Sequence, residues 1–123
     1  PQSAAPAAPP GSRAAPATPD GAVRAFYTRA AAHRYADAWA LAAPALRAQL
    51  DGYDAFTAQF SSVRSIRFQR LGVAGRSGDA ATVAFATTAR HTDRVDHCSG
   101  TATAAPSGSG GDWQVQHITV SCG

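Results

Sequence analysis

The residues of this 123-residue chain best suited to chemistry are two cysteines, four histidines, three tyrosines and eight aspartates. Cys98 and Cys122 fit neither a CxxC redox motif nor any zinc-ligand spacing, so a structural disulfide is the expected use, with a redox or metal pair as the alternative. His33 lies near the end of a helical segment, where its charge suits the helix dipole. His91 shares strand parity with Thr87 and Ala89, His97 has the parity opposite to Cys98, and His117 sits elsewhere again. Three histidines on different faces do not converge, and no metal site is expected. Acid–base catalysis needs an inward carboxylate with donors for the developing charge. Asp37 is expected to face solvent, and Asp51 and Asp54 read as turn and N-cap residues. Asp96 comes closest, with the parity of Cys98, but follows a turn. No Ser-His-Asp motif, nucleophile elbow or phosphate-binding glycine loop appears. The Gly/Ser run at 107–111 precedes a strand and reads as a loop. No catalytic residue and no cofactor is expected.

These side chains must be positioned by helices that come first and strands that follow. Asp20 is the expected N-cap of a helix over 21–32, with Val23, Phe26, Tyr27 and Ala30 forming one apolar stripe. A second helix is expected over 35–42, sharing Tyr35, Ala38, Trp39 and Ala42 on a face. Pro44 stops it and starts a short turn carrying Leu46 and Leu50. Asp51-Gly52 breaks the chain, and Tyr53, Phe56 and Phe60 mark a last helix over 52–60. Strands are expected over 63–73, 81–90, 95–104 and 113–121, with turn signals at Gly72, Gly75 and Ser77-Gly78-Asp79. Ala81, Val83, Phe85, Thr87 and Ala89 form the inward set of the second strand. Trp113 and Val115 share one parity and Ile118 and Val120 the other, so a one-residue bulge near Gln116-His117 is expected to keep all four inside. Helices followed by an antiparallel meander make an α+β domain, with the sheet curling round the helices to bury Phe26, Trp39, Phe56, Phe85 and Trp113 together. The third and fourth strands form a hairpin centred near Ser109, which brings Cys98 opposite 119–122. A bridge there closes a loop of about two dozen residues, a stabilisation of roughly 3 kcal/mol.

Composition limits the classes of partner. Every basic residue is arginine and every acidic residue aspartate, with lysine, glutamate and methionine absent, and the net charge is only +3. That bias marks a GC-rich coding sequence. The arginines are dispersed, so nucleic-acid binding is not expected. Arg64, Arg67 and Arg70 recur every third residue, and on a regular strand they would not all share a face. Residues 1–19 hold six of the eight prolines. They read as a flexible Pro/Ala-rich linker without an apolar period, ahead of a domain over 20–123. No signal or membrane-spanning run is present, and an upstream signal peptide or anchor is expected before Pro1.

Val23-Arg-Ala-Phe-Tyr27, the segment from His33 to Leu41 and the ending Asp112-Trp-Gln-Val-Gln-His-Ile118 resemble the NTF2-like superfamily. Cys98-Ser-Gly-Thr101 with a C-terminal Cys122 is similar to the variant found in extracytoplasmic domains of actinobacteria, after Pro/Ala-rich linkers in membrane-anchored serine/threonine kinases and in lipoproteins. The resemblance covers about 20–122. It implies a cone with a pocket between the first helix and the concave sheet face. Relatives include isomerases, epoxide hydrolases and cyclases, and also sensor domains without activity. The expected role is therefore an exported module that recognises a small molecule or a cell-envelope protein. Tyr27, Tyr35, Trp39, Phe85 and Trp113 are its expected wall, although core packing explains the same residues. The alternatives are an isomerase with Tyr27 as donor, and a homodimer through the outer sheet face, where Thr82, Thr88, Arg90, Thr101 and Thr103 are expected to point outward.

Overall fold

The computed structural model describes residues 16–106 and 112–123. The expected linker up to residue 15 and the loop at 107–111 lie outside the described residues. Helix α1 spans Pro19–Ala31. It starts earlier than Asp20 suggested because Thr18 is the cap, its side-chain oxygen accepting from the Gly21 amide at 3.1 Å. Pro19 then fills the first helical position, where no amide hydrogen is needed. Asp20 sits in the first turn, where its charge complements the dipole.

Helix α2, Tyr35–Trp39, ends before Ala42. The residues after it are used differently. The Val115 amide donates to the Leu41 carbonyl (2.8 Å), and the Ala43 amide donates to the Val115 carbonyl (2.9 Å). This short parallel pairing takes Leu41 to Ala43 out of the helix. Helix α3 is Pro44–Gln49 and α4 is Tyr53–Phe60. Between them Asp51 and Gly52 both adopt positive φ, 64° and 96°, and Gly52 rather than Asp54 caps α4. Glycine meets that conformation without steric cost.

Strands β1 (Val63–Ser77), β2 (Ala80–His91), β3 (Val95–Pro106) and β4 (Trp113–Cys122) form one antiparallel sheet in the order β1-β2-β3-β4. The chain does not turn at Gly72 or Gly75. It reverses at Gly78-Asp79, with Gly78 at φ 59°. Strand β1 runs on because its register shifts three times, at Arg64, Gln69 and Ala74. Each shift inserts an extra residue, which spoils the alternation that a regular strand shows and bends the strand. In β4, Val115 pairs with Ala104 while His117 pairs with Thr103, leaving Gln116 as the bulge. Val115 and Ile118 are both buried as a result, whereas Trp113 is half-buried and Val120 remains exposed.

The helices cover one face of the sheet. Phe26, Phe56 and Phe85 are fully buried together with Leu46, Val23, Val83 and Val115. The two tryptophans expected among them are half-buried, packed against the core's margin. Trp39 meets Phe56 and the Arg47 guanidinium, and Trp113 meets Arg76. No helix among the described residues is long and apolar enough to cross a membrane.

An open edge strand invites pairing with other chains. Strand β4 is covered by Leu41 to Ala43 and by Gln49, whose side chain imitates a neighbouring strand. Its amide donates to the Ile118 carbonyl at 2.6 Å, and its oxygen accepts from the Ile118 amide at 3.1 Å. Gln49→Ala is expected to cost about 1–2 kcal/mol, two ordinary hydrogen bonds. Urea denaturation measures the loss, and faster hydrogen exchange at the Ile118 amide locates it.

Candidate functional site

Between the helical layer and the inner sheet face lies a cavity of about 310 Å³. Phe26, Tyr27 and Phe60 form its helical wall, Ile66, Thr87 and Ala89 its floor, and Ile118, Val120 and the cysteine pair one flank. These residues meet because α1 lays its Val23/Phe26/Ala30 stripe on the sheet, while the alternation of β2 turns Thr87 and Ala89 toward it. Small side chains do the rest. Thr87 and Ala89 are buried yet short, and they leave open the volume a larger residue would fill.

Cys98 and Cys122 are directly opposed across β3 and β4 and form a disulfide, with Cα atoms 4.0 Å apart. The bridge faces the cavity and closes its flank.

Besides Gln49, which is bonded to Ile118, and Gln59, the polar side chains of the lining fall into two sets. Tyr27 and Thr87 lie within. Neither hydroxyl has a hydrogen-bond partner among the described residues. Tyr27 is ringed by Phe26, Phe60, Phe68 and Phe85, and this desolvation pushes its phenol well above the ordinary tyrosine range, so it stays neutral. At the mouth stand His91, Arg94 and Asp96, gathered by the tight β2–β3 turn. The His91 amide donates to the Arg94 carbonyl at 2.8 Å and closes that turn. His91 Nε2 lies 3.1 Å from Asp96 Oδ2, and Arg94 Nε lies 3.2 Å from the same oxygen. On the other side of the ring, Nδ1 meets Ser62 Oγ at 2.8 Å. The tautomer with its proton on Nε2 fits both contacts, donating to Asp96 and accepting from the Ser62 hydroxyl.

Ser62, His91 and Asp96 therefore form a hydrogen-bonded chain that no sequence motif announces. Its chemistry is limited by its setting. Ser62 follows the carboxyl end of α4, where the unsatisfied backbone groups are carbonyls rather than oxyanion-stabilising amides. Both ring nitrogens of His91 are engaged, and Asp96 already holds two donors. The chain ties the start of β1 to the β2–β3 turn, and the Thr92 amide reinforces it by donating to the Ser62 carbonyl at 3.0 Å. The one hint in the sequence was parity: a two-residue turn places His91, Arg94 and Asp96 on the inner face together.

Of the five expected wall residues, Tyr27 alone lines this cavity. Phe85 is fully buried behind it, 5.5 Å from the Tyr27 ring. Tyr35 stacks on His33 and packs edge-on against Phe56, Trp39 packs on Phe56 and Tyr53, and Trp113 lies toward the other end of β4. Leu50, Phe60, Ile66, Thr87, Ile118 and Val120 take the places that Tyr35, Trp39 and Trp113 were expected to hold. Among the described residues no three histidine, cysteine or acidic side chains are grouped to hold a metal ion. His33 Nε2 meets the Val63 carbonyl, and His97 meets Thr88 on the outer face.

No family model and no curated protein matches this chain.

Proposed function

We propose that this chain is an exported, non-catalytic recognition domain of NTF2-like architecture, whose cavity receives a small, mostly apolar molecule with one hydrogen-bonding group. The observation that carries this reading is the cavity itself. Its walls are aromatic and aliphatic, and two uncompensated hydroxyls, Tyr27 and Thr87, sit among them. Few, well-placed polar groups in an apolar recess are what small-molecule sites share, and 310 Å³ lies at the compact end of such sites. A ligand that bonds the half-buried Tyr27 hydroxyl and the buried Thr87 hydroxyl would supply the partners that the described residues do not. A disulfide persists in oxidising compartments, which supports export. The absence of activity rests on Asp96, the one carboxylate of the cavity lining, being held by His91 and Arg94 rather than free to take a proton.

The test uses the dye 1-anilinonaphthalene-8-sulfonate and the natively folded protein. Saturable, one-to-one fluorescence enhancement is expected. Ala89→Phe projects a ring into the recess and is expected to weaken the dye at least tenfold while leaving the near-ultraviolet circular dichroism intact. Dye binding that is absent, or unchanged by Ala89→Phe, overturns the reading.

A further inference from the structure

The outer face of the sheet, opposite the cavity, carries a second feature. Arginines at 64, 67 and 70 fall every third residue, a spacing that scatters side chains over both faces of a regular strand. The bulge at Gln69 undoes that scatter. Arg67 pairs with Thr88 and Arg70 with Ala86, both members of the outward set of β2, and Arg90 belongs to that same set. Arg67 and Arg90 flank one shallow recess with Ser65, Gln69 and Thr88.

These guanidinium groups are unengaged. Arg64, Arg67, Arg70 and Arg90 make no ion pair, hydrogen bond or ring contact among the described residues. The other described arginines are occupied: Arg34 with Asp37, Arg94 with Asp93 and Asp96, Arg47 with backbone carbonyls, Arg24 and Arg76 over aromatic rings, and Arg29 in contacts of its own. No described aspartate has the outward parity: Asp96 faces in, Asp79 and Asp93 are in turns, and the rest precede β4 or lie in and between the helices. Four cations without a counter-charge among the described residues, three of them on one sheet face, give a local field much stronger than the net charge of +3 indicates.

We infer that the outer face around Arg67, Arg70 and Arg90 docks a linear phosphodiester chain that carries no aromatic bases. The arginine fork matches phosphate oxygens, which favours an anion over a neutral glycan. Positions on neighbouring strands lie about 5 Å apart and successive outward positions about 7 Å, so the three cations meet successive charges of an extended polymer rather than one compact anion. The face has no phenylalanine, tyrosine or tryptophan to stack a base, the feature that single-stranded nucleic-acid sites combine with basic grooves. A second copy of this chain is disfavoured, because two-fold pairing of the same patch opposes like charges.

Binding of poly(glycerol phosphate) to the whole chain, followed by calorimetry against salt, tests this. The expected result is an affinity that falls with salt at a log–log slope of about −2, three contacts of the single-strand kind. The variant Arg67→Gln/Arg70→Gln/Arg90→Gln is expected to lose at least tenfold. The charge-matched variant Arg24→Gln/Arg34→Gln/Arg76→Gln is expected to lose less than threefold. Equal losses in the two variants, tighter binding of single-stranded DNA through the same three arginines, or a native dimer dispersed by the first variant would each overturn the inference. So would the absence of binding at low salt.

Discussion

Gly100→Ala is expected to destabilise the protein by about 3 kcal/mol or more, the upper end of what inserting a single methyl group costs. Gly100 lies on β3 opposite Val120, two residues from Cys98. A Cβ built there falls 2.0 Å from the Thr119 carbonyl oxygen and 2.8 Å from the Val120 Cα. Both obstacles are backbone, so no side-chain rotation relieves the overlap, and β3 and β4 must part. The pair explains the crowding. His97 and Gly123 exchange two hydrogen bonds, so Cys98–Cys122 and Gly100–Val120 fall at the alternate positions, where antiparallel Cα atoms come closest. A thermal melt is expected to shift down by on the order of 15 °C for a domain of this size. A variant that melts with the parent would show that the strands are not held at this separation.

Replacing the cysteine pair is the second large effect. Cys98→Ser/Cys122→Ser, or reduction of the parent, releases a loop spanning 24 residues of sequence separation. Loop-closure entropy assigns that constraint about 3 kcal/mol. The loss is expected to be concentrated at the far end of β4, because that strand ends at the disulfide. Hydrogen exchange at Ser121 and Gly123, whose amides face β3, is expected to accelerate more than at Val83 in the centre of the sheet. The two effects are coupled. Without the covalent tie β4 can withdraw from Gly100, so Gly100→Ala is expected to cost less in the Ser/Ser background, by about 0.5–3 kcal/mol, the range found for neighbouring sites. Additivity within experimental error would sever the link between the glycine and the disulfide.

Much of this architecture is legible from local chemistry. The order of helices before strands follows from the loss of three-and-four apolar spacing after Ser61 and the clean alternation of the second strand. The disulfide follows from counting along a hairpin, and the bulge near Gln116-His117 from the change of apolar parity between Val115 and Ile118. Helix ends are less legible. Whether Thr18 or Asp20 caps α1 depends on which residue leaves the helix, and α2 ends at Trp39 because a strand some seventy residues away takes Leu41 to Ala43 as partners.

The sites lie beyond local pattern. Aromatic residues attract attention as walls, yet Tyr35, Trp39 and Trp113 pack at the margins, and the cavity exists because Thr87 and Ala89 are too small to fill it. Volume left empty is a property of three-dimensional packing and leaves no signature along a chain. The arginine patch is the sharper case. Residue types and spacing alone placed Arg67 and Arg70 on opposite faces of β1, and one unpaired residue, Gln69, returned them to the same face. The sequence by itself determined the element types, the meander and the cysteine bridge, because these follow from periodicity and short-range counting. Tertiary structure decided which side chains share a surface, because a single-residue shift in strand register inverts every facing beyond it.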